Sequence, residues 1–190
     1  MERGYIEDQT FEKVDYTIAS FPNGEYEHCI FTNCNFSNAQ LSHNDFIDCE
    51  FIGCNFSNTK LLKVVLSDVK FVDCKLLGIQ FDTCNDFGLS FSFVNCILNH
   101  SNFYKTKIKK TNFTNCQMHE VDFTDCDLSA SKFDNCDLFN AAFSNSNLEK
   151  ADFKTAYNFS IDPAANKIKK AKFSVSGLVG LVGKYDLEID

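Results

Sequence analysis

Large apolar residues recur every five positions along most of this 190-residue chain. From Phe11 the step of five meets Tyr16, Phe21, Tyr26, Phe31, Phe36, Leu41, Phe46, Phe51 and Phe56. It continues through Leu61, Leu66, Phe71, Leu76 and Phe81 to Asp86 and Phe91. After a seven-residue step it resumes at Leu98 and runs through Phe103, Ile108, Phe113, Met118, Phe123, Leu128, Phe133, Leu138, Phe143 and Leu148 to Phe153. Of these 29 positions 28 are large and apolar, and only Asp86 departs. The residue two places before each centre is small nearly everywhere, with Gln9, Asn44, Ile79 and Leu89 as the bulky exceptions. All ten cysteines fall there: Cys29, Cys34, Cys49, Cys54, Cys74, Cys84, Cys96, Cys116, Cys126 and Cys136. The other three places in each five are mostly Asn, Asp, Ser, Thr, Lys and Glu.

A period of five fits neither the 3.6 of a helix nor the 2 of a half-buried strand. It fits a backbone that turns a corner every five residues, with two side chains inward and three outward. Four such sides close a square coil of about twenty residues, each coil paired only with its neighbours. The large inward residue, as at Phe31, Phe36, Phe51, Phe56, Phe113, Phe123 and Phe133, fills the middle, and the small one fits near the corner. The only prolines, Pro22 and Pro163, lie near the two ends, as a backbone ladder through the interior requires.

Two stretches leave the rule. At Asp86 two readings stand: a bulge that puts Phe87 into the core, or a carboxylate hydrogen-bonded inside; the bulge is preferred. The two-residue surplus places a register break at 92–97. Beyond Phe153, Ile168 and Phe173 offer one last coil after a turn at Asp162–Pro163. Leu178, Leu181 and Val182 then show helical spacing, and Tyr185, Leu187 and Ile189 a strand-like alternation. The expected organisation is an N-terminal cap over 1–10, an all-β solenoid over 11–173, and a helix and strand over 174–190 that dimerise or cap.

Composition changes this picture little. Hydrophobic residues make up 44% and charged residues 23%, which is ordinary for a globular domain. There is no run of eighteen apolar residues to span a membrane, and MERGYIEDQTFEKVDY has no apolar stretch followed by a small-residue cleavage site. A cytoplasmic location is therefore expected, with thiols kept reduced. The formal net charge of −8 disfavours direct binding to nucleic acid or an anionic membrane and favours a basic partner.

The repeats SNFYK, TNFTN, VDFTD, CDLSA, CDLFN and ADFKT, with Ser101, Thr111, Val121, Cys126, Cys136 and Ala151 as the small residues, resemble the pentapeptide repeat family. The resemblance covers roughly 11 to 173 and implies a right-handed quadrilateral parallel β-helix. About eight coils at roughly 4.8 Å would make a rod of about 40 Å. Residues 84–98 (CNDFGLSFSFVNCIL) and 161–173 (IDPAANKIKKAKF) further resemble the quinolone-resistance (Qnr) and microcin-immunity branches. That likeness implies a non-enzymatic DNA mimic that binds DNA gyrase and topoisomerase IV and modulates their inhibition by quinolones or toxins. It also implies a head-to-head homodimer joined at the C-terminus, through Leu178, Leu181, Val182, Tyr185, Leu187 and Ile189 here. A structural or adaptor repeat protein with another protein partner is the alternative.

Charge is uneven along the chain. Residues 14–59 hold no Lys or Arg but carry Asp15, Glu25, Glu27, Asp45, Asp48 and Glu50. Residues 111–149 set Glu120, Asp122, Asp125, Asp127, Asp134, Asp137 and Glu149 against Lys132 alone. These tracts either keep a rod soluble or occupy the basic DNA saddle of an enzyme; the branch resemblance favours the second. With faces repeating every twenty residues, Asp122 should stack near Asn102 and Ala142, and Glu25 near Asp45. Carboxylates so spaced suit a mimic better than a catalytic dyad.

The cysteines are tempting as chemistry. Cys29/Cys34 with Cys49/Cys54 lack the two-to-four-residue ligand spacing of zinc fingers, and on a square coil they would not converge on one point. Parallel inward side chains match a disulfide dihedral poorly. Small buried thiols are the preferred reading, with no cofactor or metal expected. His28, His43, His100 and His119 are scattered, and GLVGLVG lacks both the spacing of GxGxxG and a preceding βαβ unit.

Overall fold

Corners set the shape of this molecule. In the computed structural model, which describes residues 3–185, 187 and 188, twenty-five non-glycine residues have left-handed backbone, with φ from 50° to 66°. Nearly all lie five residues, or a multiple of five, apart. Fourteen are Asn or Asp, which tolerate this region better than other L-residues. That is why the outward position two after each centre is so often Asn or Asp. Gly53, at φ 63°, fills the same place.

Between corners run short parallel strands. The fourth side of the coil carries β1 (Gly4–Glu7), β3 (Gly24–Glu27), β5 (Asp45–Ile47) and β7 (Val65–Ser67), paired in that order. The first side holds nine strands: β2 (Thr10–Glu12), β4 (Ile30–Thr32), β6 (Glu50–Ile52), β8 (Val69–Val72), β9 (Phe91–Val94), β10 (Asn112–Thr114), β11 (Lys132–Asp134), β12 (Asp152–Phe153) and β13 (Lys172–Phe173). The second and third sides are joined by single bridges, such as Asn35 to Asn55 and Asn102 to Asp122. Registers such as Phe31 on Phe51 and Phe113 on Phe133 give the twenty-residue coil.

The interior is a stack of rings. On the first side Phe11, Phe31, Phe51, Phe71, Phe93, Phe113, Phe133, Phe153 and Phe173 lie 4.6 to 5.3 Å apart, with planes within 14° of parallel. The seven expected core residues Phe31, Phe36, Phe51, Phe56, Phe113, Phe123 and Phe133 are at most 3% exposed. Each such ring removed from water stabilises the fold by about 1.5–3 kcal/mol.

The small inward residues have a second task. Thr59 Oγ1 donates to the Phe36 carbonyl at 2.6 Å, and Ser146 Oγ to the Phe123 carbonyl at 2.6 Å. Cys49 and Cys74 thiols donate to the carbonyls of Tyr26 and Phe51 at 3.2 and 3.3 Å. A side chain here that is small and can donate thus ties one coil to the large residue of the coil before. Among the described residues no buried side-chain nitrogen or oxygen lacks a partner.

Three departures from the sequence pattern stand out. Phe71 pairs with Phe93, not Phe91, so the two-residue surplus falls between Phe81 and Phe93, ahead of 92–97. Asp86 and Phe87 both face solvent, Phe87 at 86% exposure; Leu89 and Phe91 enter the core instead. Neither reading of Asp86 holds, because the extra residues loop outward and so spare the core a bulge or a buried carboxylate. At the N-terminus, the stretch expected as a cap over 1–10 contributes β1 to the solenoid itself, since Gly4–Glu7 align with Gly24–Glu27.

Among the described residues the C-terminal segment forms a helical tract and no strand. Two 3-10 turns, Ser176–Leu178 and Gly183–Tyr185, flank α1 (Val179–Val182). Tyr185 belongs to the second turn, Leu187 lies in no strand, and Ile189 is outside the described residues. The Ile161 amide donates to the Gly180 carbonyl at 2.9 Å, which holds this tract against the last coil. No helix among the described residues is long and apolar enough to cross a membrane.

Candidate protein-binding surface

The fourth side gathers acids on its first four levels. β1 sits on β3 with Glu7 aligned to Glu27, and β3 on β5 with Glu25 aligned to Asp45. The corners after β1, β5 and β7 add Asp8, Asp48 and Asp68, their side chains thrown outward by φ of 54°, 50° and 53°, while the corner after β3 is His28. Glu50 lies just past the corner, on the first side. Like charges on adjacent coils repel, and a few contacts relieve this. Arg3 pairs with Asp45, and the Tyr5 hydroxyl donates to Glu27 Oε2 at 2.6 Å. That hydrogen bond to a carboxylate, with slight burial, raises the Tyr5 pKa above its ordinary value.

The C-terminal acids do not form a second tract. Glu120 and Asp137 lie on the second side, Asp122 and Asp125 on the third, Asp127 on the fourth and Asp134 on the first. Asp122 does bridge Asn102 and Ala142. Several of these have close partners: Lys109 lies 3.3 Å from Asp127, and the imidazoles of His119 and His100 lie 2.8 Å from Asp137 and 3.4 Å from Glu120. Partial burial raises the pKa of Asp137, but its hydrogen bonds to His119, Asn158 and the Phe139 amide outweigh this and hold the carboxyl below its usual range. Asp127 is held low in the same way, by Ser129 and Lys109 against its burial.

Three members of the N-terminal tract, Glu7, Asp8 and Asp68, lie outside the acidic run 14–59 that the sequence marks. A step of twenty from Asp8 meets His28, Asp48 and Asp68, so the signal was present in the corner column.

All ten cysteines are free, nine of them buried and Cys84 partly so. Burial pushes the thiols of Cys49 and Cys126 up to about 12. Among the described residues no group of three or more His, Cys, Asp or Glu converges as a metal site would.

The C-terminal tract presents an apolar surface. Leu178, Tyr185 and Leu187 are half exposed or more, as is Val179, which the pattern did not single out. Leu181 packs against the core instead, and Val182 is only partly exposed. An open groove of about 600 Å³ runs between α1 and the last coil, past Phe139, Tyr157, Phe159 and Gly180.

A four-sided parallel solenoid with a filled interior works through its outer faces. The chain belongs to the pentapeptide repeat family, whose pattern, described as a pentapeptide repeat region, matches residues 19–92 and 89–157. Among solved structures it is similar to a trypsin-treated form of QnrB1, a plasmid-mediated fluoroquinolone resistance protein. That match has 21% identity and a TM-score of 0.51 over 98% of this chain and 92% of the other. It is also similar to HetL, a pentapeptide repeat protein involved in heterocyst differentiation regulation from the cyanobacterium Nostoc. Here identity is 14% and the TM-score 0.51, over 91% of this chain and 85% of that one. At these identities the likeness is one of fold. No curated protein matches the chain.

Proposed function

We propose that this protein mimics DNA and binds a type II topoisomerase, gyrase or topoisomerase IV, modulating its inhibition by a quinolone or toxin. The observation that carries the reading is the acidic tract on the fourth side. Glu7, Asp8, Glu25, Glu27, Asp45, Asp48 and Asp68 span three coil steps, roughly 14 Å, or about one charge per 2 Å. Duplex DNA carries one per roughly 1.7 Å of axis. A basic DNA saddle would meet a similar linear charge density on a rigid body. The reading is thereby narrowed to the N-terminal half, since the C-terminal acids are dispersed. The fluoroquinolone resistance of QnrB1, a protein of the same fold, supports the choice of enzyme.

In this reading the active form is a non-enzymatic homodimer joined end to end by the apolar residues of the C-terminal tract, Leu178 and Tyr185 foremost. The experiment is a gyrase supercoiling assay with purified protein, with and without a quinolone. Altered supercoiling or drug sensitivity, lost on Glu25→Lys/Asp48→Lys substitution, is expected. No binding and no effect would refute the topoisomerase reading.

An adaptor role is the second reading. It is favoured by the exposed apolar residues Ile97, Phe139 and Tyr157 on the second side, a surface a protein partner could cover. Absence of gyrase binding, together with binding of a different protein that is lost on Phe139→Ala and insensitive to the acidic substitutions, would favour it.

A further inference from the structure

The fourth side reverses its charge halfway along the rod. It has nine levels: 4–8, 24–28, 44–48, 64–68, 85–90, 106–110, 126–130, 146–150 and 166–170. The middle one is the outward loop, whose Asn85 and Ser90 amides bond to the carbonyls of Val64 and Leu66 at 2.9 Å. Before the loop the four levels hold the seven acids of the tract and no Lys or Arg, with Arg3 and Lys63 in the corner column just ahead of them. After it come Lys107, Lys109, Lys110, Lys150, Lys167, Lys169 and Lys170, all exposed, against Asp127 and Glu149. Bridges carry this half from Lys107 to Asp127, Asn147 and Lys167, so the lysines share the side that the acids occupy earlier. Among the described residues, the only ion pairs of Lys or Arg here are Arg3–Asp45 and Lys109–Asp127, with the His28 ring 3.7 Å from Glu27.

A face that is acidic in one half and basic in the other, about a central point, is complementary to itself when turned around. We propose that two copies of this chain associate side by side and antiparallel through their fourth sides, with the two-fold axis at the 85–90 loop. Such an interface is isologous, each half meeting the other half of its twin. Glu7 and Asp8 then face Lys167, Lys169 and Lys170, Glu25 and Glu27 face Lys150 with Glu149 beside it, and Asp68 faces Lys107, Lys109 and Lys110. The third level, Asp45 and Asp48, meets Asp127 on the seventh; there Arg3 and Lys109 already neutralise one carboxylate in each set. At the centre Phe87, 86% exposed, meets its counterpart and gains the apolar cover it lacks in the single chain.

This contact is separate from the end-to-end one and does not depend on the topoisomerase reading. It would cover the acidic tract, so a topoisomerase and the twin would compete for it.

Sedimentation of the full chain tests the proposal, in a Leu178→Asp background so that end-to-end association is not what is weighed. At low salt the mass should be that of a dimer, falling about twofold to a monomer near 1 M salt, where the Debye length is about 3 Å. Lys110→Glu/Lys150→Glu/Lys170→Glu and, separately, Glu7→Lys/Glu27→Lys/Asp48→Lys should each be monomeric. Mixed one to one they should associate again, which loss of folding could not produce. Phe87→Cys should cross-link as a dimer when diamide oxidises its thiols. A monomer at all salt concentrations, or a mass unaffected by either charge reversal, would overturn the proposal. So would capture of duplex DNA by the lysine half while the chain remains monomeric.

Discussion

Phe71 and Phe93 stack ring on ring at 5.2 Å, although 22 residues separate them and the pattern of fives points to Phe91. The solenoid keeps its aromatic column by ejecting the surplus before Phe93. Phe93→Ala should therefore cost about 3–5 kcal/mol, as Phe56→Ala should, since each opens a cavity in a filled column. Phe87→Ala should stay within about 0.5 kcal/mol. Denaturant unfolding of the three variants under conditions that keep the chain monomeric checks this, and an equal loss at Phe87 would contradict the register.

Gly180 is where the C-terminal tract comes closest to the solenoid. A Cβ there would fall on the Phe159 carbonyl oxygen and within 2.7 Å of its ring. Backbone cannot step aside as a side-chain tip can, so Gly180→Ala should lift the tract off the last coil at about 1–3 kcal/mol. The expected sign is faster hydrogen exchange at the Ile161 amide, which bonds to the Gly180 carbonyl, with exchange at the first-side strands unchanged. Unaltered exchange at Ile161 would mean that the close approach is not needed.

Much of this molecule could be read from its sequence because period five is imposed by packing. A corner every five residues leaves one large and one small inward position, and Phe31, Cys34 and Phe36 record that choice. What escaped was set by neighbours twenty or more residues away. Phe91 and Phe93 are both apolar, and only pairing with Phe71 decides which is the centre. Tyr185 and Leu187 alternate like a strand, yet no described strand lies beside them, so the alternation earns no ladder. The acids were legible as a run in the chain. Their convergence on the fourth side for Glu25 and Asp48, and their dispersal for Glu120, Asp125 and Asp134, depended on which side each repeat occupies.

The cysteines should be inert in the folded protein. Cys49 and Cys126 titrate at about 12, and their sulfurs are enclosed by coils above and below. A thiol so buried holds almost no thiolate at pH 8 and admits no reagent. Ellman titration should find at most Cys84 in the native state and all ten thiols in guanidinium. Rapid native reaction of several thiols would show that the coils open on the time scale of the assay.

Asp137 gives the rod a pH dependence whose sign can be worked out. Its Oδ2 lies 2.8 Å from His119 Nε2, while Oδ1 accepts from Asn158 Nδ2 at 2.8 Å and from the Phe139 amide at 3.3 Å. These contacts favour the charged carboxylate more than burial disfavours it, so the folded pKa lies below the unfolded value of roughly 3.9. The stability this group contributes is full above the unfolded value and is lost as pH falls through the folded one. Asp137→Asn should then destabilise the protein by about 0.5–1 kcal/mol at pH 7, a modest figure because both partners keep some contact with solvent. The gap between variant and wild type should narrow as the pH is lowered below about 4. Thermal melts from pH 7 to pH 3 give the measurement. A gap that stays constant over that range would mean that Asp137 acts through shape alone and its charge contributes nothing.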